Sequence, residues 1–173
     1  AARRTRLGQA VALAAMGEAV QVIYPGAGFT YCPTYGTWAD LVDANGDPVE
    51  FEASGIQAGL TGQCVVLLSA SVLLITVSGQ SGSIWFSFEA VRESTSTVDV
   101  TPDIGRALSL GRGTATGGET PEWPQGTPAR AVVVQLQPGE TYTLRAKVMQ
   151  DINSENPQSA GYLAEASMVV IPT

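Results

Sequence analysis

The sequence predicts an antiparallel all-β sandwich, and three observations favour that fold class. Helical periodicity of apolar residues stops near residue 20, apolar residues then recur at every second position, and glycine, proline and asparagine separate the runs. About eight strands fit between these turn signals, with no helix long enough for a parallel crossover. A chain of 173 residues is one domain's length and can bury a core without the help of a disulfide or metal.

The first 28 residues are predicted to form an attachment arm that precedes a sandwich of residues 29–173. A basic cluster followed by aliphatic residues at helical spacing favours a short amphipathic helix in this arm. The same order of residues is also typical of a secretory signal peptide, whereas polar residues interrupt it too soon for a membrane span. We expect the arm to anchor the protein on another chain through Arg3, Arg4, Arg6, Leu7 and Val11.

Turn signals divide the rest of the chain into short apolar runs. Asn45 and Gly46 lie between the runs 37–42 and 49–53 and predict a hairpin, because both residue types tolerate positive φ. The other runs are read as strands: 20–24, 65–68, 72–77, 83–91, 130–136, 140–149 and 163–171.

Two of these runs, 83–91 and 140–149, alternate cleanly between apolar and polar residues, as half-buried strands do. Pro138 and Gly139 predict a tight turn before the second run. The residues expected to face the core are Ile84, Phe86, Phe88 and Ala90 in the first run, and Tyr142, Leu144, Ala146 and Val148 in the second. We read the whole strand series as a jelly roll, a sandwich of two antiparallel sheets.

The carboxy-terminal half has a more specific pattern. An apolar strand is followed by the turn at 136–140, an alternating strand, a polar loop with Asn153 and Pro157, and a final apolar strand. The step from Leu136 through Leu144 resembles that of the tumour necrosis factor and complement-type globular head superfamily, whose heads also occur on phage fibres, spikes and capsid decorations. The resemblance covers residues 37–173. It implies a jelly-roll head that assembles as a homotrimer, with the final strand near the three-fold axis.

Apolar residues on the strand faces opposite the core favour self-association independently of that resemblance. The candidate trimer interface consists of Leu73, Ile75, Trp85 and Val133. The alternative is a monomer in which a second sheet covers these residues.

The long loop 111–128 is the candidate segment for binding a ligand or partner, because long loops on rigid β scaffolds often carry recognition. Trp123, with Glu122 and Arg112, could stack on a sugar ring or fill a pocket on a neighbouring protein. The alternative is that Trp123 covers the edge of its own sandwich.

Composition disfavours several classes of function. The absence of histidine removes His-based catalytic triads and His-based metal sites, and 9 basic against 16 acidic residues disfavour nucleic acid as a partner. Asp43, Asn45 and Asp47 do not follow the spacing of a calcium loop. Cys32 and Cys64 could form a disulfide or stay as buried thiols. A glycosidase acting through paired carboxylates is a weaker reading, so we expect no enzymatic activity, cofactor or metal.

These observations lead to an expected function as a virion protein. Eight of the nine basic residues are arginine, which is typical of a GC-rich coding sequence and fits a phage of a GC-rich host. We expect a non-enzymatic homotrimer in the virion, as a component of the tail tip or fibre or as a capsid decoration. The arm would bind other virion proteins, and the head could contact a host-surface glycan. The alternative is a secreted or cell-surface carbohydrate-binding module.

Overall fold

A computed structural model describes residues 20–23, 30–31, 36–43, 45–76, 81–114, 120–122, 128–152 and 160–173. Within these ranges the chain forms eleven strands and a single 3₁₀ turn at Ile104–Arg106. The strands are β1 (Val20–Ile23), β2 (Thr30–Tyr31), β3 (Glu52–Gln57), β4 (Gln63–Thr76), β5 (Ser81–Arg92), β6 (Thr97–Val100), β7 (Leu108–Thr114), β8 (Thr120–Glu122), β9 (Ala129–Gln135), β10 (Thr141–Ile152) and β11 (Ala160–Pro172).

The strands form two antiparallel sheets that pack face to face. In the first sheet β11 lies between β1 and β4, β2 also pairs with β11, and both β8 and β9 pair with β4. In the second sheet β10 lies between β3 and β5, and both β6 and β7 pair with β5. The predicted all-β antiparallel sandwich is therefore confirmed.

One buried cluster of side chains fills the space between the sheets. The predicted inward faces of β5 and β10 are confirmed, because Phe86, Phe88, Tyr142 and Val148 are fully buried. Phe51 stacks on Phe86 with 5.9 Å between ring centroids and 6° between ring planes. Burying a side chain of this size contributes about 1.5–3 kcal/mol to stability. The first sheet supplies the other half of the cluster: Cys64, Val66, Leu68, Ala70, Val132, Val134, Leu163, Ala166, Met168 and Val170.

Both predicted turns are present, but the strands beside the first turn are short. Gly46 has a φ of +88°, and the Asp43 carboxylate accepts hydrogen bonds from the backbone N–H groups of Asn45 and Asp47. Only isolated bridges flank this turn, Val42 with Pro48 and Ala39 with Val148, in place of the predicted hairpin strands. At the second turn Gly139 has a φ of +78°.

Two predicted boundaries change in the structure. The run 65–68 and residues 72–76 of the run 72–77 belong to one continuous strand, β4, which pairs with β11 from Cys64 to Ile75. Ser69, between the two runs, shares a 2.7 Å hydrogen bond with Ser167 across the sheet. Residues 20–23, assigned to the arm from the sequence, form β1 and pair with β11. The rest of the arm lies outside the described residues.

At one edge of the second sheet, a hydrogen-bonded network ties β10 to β6. The hydroxyl of the buried Tyr142 donates to Asp99 Oδ2 at 2.6 Å and accepts from the N–H of Gln137 at 3.0 Å. Arg92 donates to the same Asp99 oxygen at 2.7 and 3.0 Å. The hydrogen bonds from Tyr142 and Arg92 hold the pKa of Asp99 below its usual value.

Candidate interaction surfaces

The outer face of the first sheet is aliphatic over the described parts of three adjacent strands. In β4, Val66 and Leu68 are buried in the core. Because successive side chains of a strand point to opposite faces, Val65 and Leu67 point away from the core. The same alternation places Ala131 and Val133 outward on β9, and Val169 and Ile171 outward on β11. These six residues, Val65, Leu67, Ala131, Val133, Val169 and Ile171, are called the aliphatic face below.

Strand register arranges the aliphatic face in two rows. Val65 pairs with Val133 on one side and Ile171 on the other, and Leu67 pairs with Ala131 and Val169 in the next row. Val133 is 66% exposed and Leu67 38% exposed, so the face is open to solvent in the single chain. Directly opposed side chains in neighbouring strands contact one another, so each row is a continuous apolar strip.

The aliphatic face is bordered by uncharged residues. The other outward positions with described side chains on β4, β9 and β11 are Gln63, Ser69, Ser71, Ala129, Gln135, Ser167 and Thr173, and Glu165 pairs with Ser71 in the outermost row. The seven described residues carry no charge, although the whole chain has a net charge of −7. With strands about 4.8 Å apart and outward residues about 6.7 Å apart, two rows on three strands cover roughly 200 Å².

The structure separates two members of the predicted trimer interface. Val133 belongs to the aliphatic face, but Trp85 lies on β5 in the second sheet, between the core residues Ile84 and Phe86. Trp85 therefore points outward on the opposite side of the sandwich, and the prediction that it shares one patch with Val133 is wrong. Alternation assigns a face within a strand but does not tell which sheet the strand joins. Leu73 and Ile75 lie on β4, and their side chains are outside the described residues.

The other predicted site residues fall largely outside the part of the chain that the structure describes. The backbone of Arg112 lies in β7 and that of Glu122 in β8, where Glu122 pairs with Leu74, but neither side chain is described. Trp123 lies outside the described residues. So do the arm residues Arg3, Arg4, Arg6, Leu7 and Val11.

Sequence reasoning missed five of the six members of the aliphatic face. The signal that could have found them is that the runs 65–68, 130–136 and 163–171 carry apolar residues on both strand faces, once the order of these strands in the sheet is known. Sequence reasoning also missed a charged cleft on the second sheet, because its residues come from segments that are far apart in the chain.

The charged cleft lies on the outer side of the second sheet. It has a volume of about 310 Å³ and is lined by Asp40, Pro48, Val49, Glu50, Phe51, Glu52, Arg145, Ala146 and Lys147. Arg145, Ala146 and Lys147 of β10 line the cleft, and the N–H of Ala146 donates to Phe51 O at 2.9 Å, which ties β10 to the segment 48–52. Asp40 and the segment 48–52 come from opposite ends of the Asn45–Gly46 turn, so that turn brings the walls together.

Ion pairs organise the deep part of the cleft. Lys147 Nζ lies 2.7 Å from Asp40 Oδ1 and 3.1 Å from Glu89 Oε1, and its side chain is only 14% exposed. Burial lowers the pKa of Lys147, but the hydrogen bonds to Asp40 and Glu89 outweigh this effect and leave the pKa above its usual value. Lys147 therefore stays protonated and positions both carboxylates.

The mouth of the cleft carries the more exposed charged groups. Arg145 Nε donates to Glu52 Oε2 at 3.0 Å, and Arg145 Nη1 lies 3.9 Å from Glu89 Oε1. The side chain of Arg145 is 47% exposed and that of Asp40 is 56% exposed. Positively charged hydrogen-bond donors and negatively charged acceptors thus face solvent around one opening.

The described ranges hold no candidate metal cluster. They contain no group of three or more Cys, Asp or Glu side chains that could hold an ion. The Asp43 carboxylate, considered above for calcium, instead accepts hydrogen bonds from the backbone N–H groups of its own turn.

Cys64 is a free, buried thiol, and burial raises the pKa of this thiol to about 11.

Comparison of the chain with models of known protein families gives no match, and neither does comparison with curated proteins. Among the helices that the described part of the chain forms, none is long and apolar enough to cross a membrane.

Proposed function

We propose that this protein is a non-enzymatic structural component of a phage virion, in which the sandwich assembles as a homotrimer through the aliphatic face. The observation that carries the proposal is the pair of aliphatic rows on the outer side of the first sheet. Each row exposes apolar surface that would be removed from water by another subunit, at about 25 cal/mol per Å² buried.

The charge distribution favours a second copy of this chain as the partner that covers the aliphatic face. A chain with a net charge of −7 repels its own copies wherever acidic residues meet. The two rows that flank the aliphatic face carry no charged side chain, so copies that meet over these rows bring no like charges together. An area of roughly 200 Å² is smaller than the ~800 Å² per partner of a typical stable interface, so the face would be the centre of a larger contact.

Strand pairing supports the jelly-roll form of the proposal. If the short β2 and β8 are set aside and β6 and β7 are counted as one strand, eight principal strands remain. The first pairs with the last, the second with the seventh, the third with the sixth, and the fourth with the fifth. Winding a long antiparallel hairpin into a sandwich produces this nested pairing. It agrees with the head superfamily that the sequence resembles, and the number of subunits, three, rests on that resemblance.

The virion role rests on composition and on the expected arm. In this proposal residues 1–19 attach the trimeric head to other virion proteins, at the tail tip or fibre or as a capsid decoration. Because β1 begins at Val20 and pairs with β11, a deletion that ends at residue 19 removes the arm without removing a strand.

The test is a deletion of residues 1–19, which leaves β1 in place. The shortened protein should still have three times its own chain mass in light scattering but should no longer be incorporated into phage particles. Normal incorporation of the shortened protein would refute the role of the arm. A full-length chain that is monomeric and binds polysaccharide would refute the assembly and support a secreted or cell-surface carbohydrate-binding module.

A further inference from the structure

The charged cleft on the second sheet has hydrogen-bonding atoms that the protein itself does not use. Lys147 engages Asp40 Oδ1, and Arg145 engages Glu52 Oε2, so each carboxylate keeps a second oxygen with no hydrogen bond to any described residue. The Nη atoms of Arg145 make only the 3.9 Å contact with Glu89 among the described residues. Two acceptors and a planar donor therefore face the same opening.

This arrangement matches the hydrogen-bonding pattern of neighbouring hydroxyl groups. A hydroxyl donates one hydrogen bond and accepts others, so one hydroxyl of a pair can donate to a carboxylate while its neighbour accepts from a guanidinium. Hydrogen bonds to charged partners are about twice as strong as neutral ones. Lys147 and its two carboxylate partners hold the site in place before any ligand arrives, so little ordering is required on binding.

The charges around the cleft and the volume of the cleft restrict the class of ligand that fits it. Asp40, Glu50, Glu52 and Glu89 outnumber the cations Arg145 and Lys147 in and beside the cleft, so phosphate, sulfate and carboxylate ligands are repelled. The volume of about 310 Å³ lies at the small end of ligand sites, which suits one ring rather than a chain of rings.

We propose that this cleft binds one neutral sugar ring of a glycan, with Asp40 and Glu52 accepting from its hydroxyls and Arg145 donating to them. The site does not depend on the assembly proposed above. It lies on the opposite side of the sandwich from the aliphatic face, so association through that face leaves the cleft open. In a virion protein the ligand would be a glycan on the host surface.

The test is saturation-transfer-difference NMR of the full-length protein with the methyl glycosides of glucose, galactose, mannose and rhamnose, and with galacturonic acid as the acidic match of galactose. At least one neutral glycoside should receive saturation, and galacturonic acid should bind more weakly than galactose. The substitutions Asp40→Asn and Arg145→Gln should each weaken binding of that glycoside by about tenfold, the equivalent of one charge-assisted hydrogen bond. Asp40→Asn retains an oxygen for Lys147, so the fold should persist.

Asp47→Asn is the matched control, because Asp47 is an exposed carboxylate in the adjoining turn that does not line the cleft. It should bind like the wild type. Absence of saturation transfer to every neutral glycoside would overturn the proposal, as would stronger binding of galacturonic acid. Binding that survives both Asp40→Asn and Arg145→Gln would place the sugar elsewhere. If Asp40→Asn does not fold, Glu52→Gln provides the same test from the other wall. None of these outcomes changes the mass of the assembly, which is measured separately.

Discussion

Removing the hydroxyl of Tyr142 tests whether the network at the edge of the second sheet stabilises the sandwich. Tyr142→Phe keeps the buried ring but deletes the hydrogen bond to Asp99 and the acceptor for Gln137 N–H. A hydrogen bond to a charged group contributes about 1.5–3 kcal/mol and a neutral one about 1 kcal/mol. Since the Asp99 side chain is 20% exposed and water can replace part of the loss, we expect a total cost of about 2 kcal/mol.

For a chain of this length, about 2 kcal/mol corresponds to a fall of roughly 4–8 °C in Tm. The assay is urea unfolding followed by tryptophan fluorescence, with both proteins at the same concentration because association changes apparent stability. A cost below about 0.5 kcal/mol at neutral pH would refute the stabilising role of the network.

The pH dependence gives this prediction a second readout. The pKa of Asp99 is lowered in the fold, so its contribution to stability is complete above its unfolded pKa of about 3.9 and is lost as pH falls through the folded pKa. Tyr142→Phe removes the largest cause of that lowering. The difference in free energy of unfolding between wild type and variant should therefore be full near neutral pH and shrink below about pH 4. A difference that stays constant over this range would show that Asp99 is not involved.

Two further predictions concern the backbone and the core. Gly62→Ala should lower the free energy of unfolding by about 3 kcal/mol or more, because φ is +69° and the new Cβ would lie 2.2 Å from Leu136 O. Gly46→Ala, with φ +88° and open space around it, should cost only about 1 kcal/mol. Equal urea midpoints for the two variants would contradict the steric reason. In a Cys32→Ser background, Cys64 should react with iodoacetamide far more slowly in the native protein than in urea at the same neutral pH, since burial raises the pKa of the Cys64 thiol to about 11. Equal labelling rates in the two conditions, measured by mass spectrometry, would contradict the burial of Cys64.

The sequence predicts the sandwich and much of the core, because strand periodicity is a local property. Phe86 and Val148 lie in alternating runs whose buried faces can be read directly, and Gly139 marks its turn by residue type. The position of Trp85 shows the limit, since no local signal tells whether β5 joins β4 or β10. The charged cleft shows the same limit, because Asp40 and Lys147 are 107 residues apart and meet only after the second sheet has formed.

The most direct test of the central claim is sedimentation equilibrium of the wild type and two valine variants. Val133→Asp places a charge in the aliphatic face, and Val98→Asp is its control, because Val98 is 43% exposed on β6 in the second sheet. We predict three times the chain mass of 18.0 kDa for the wild type and for Val98→Asp, and 18.0 kDa for Val133→Asp. A wild type that stays at 18.0 kDa at every concentration, or a Val133→Asp variant that keeps the mass of the trimer, would contradict assembly through the aliphatic face.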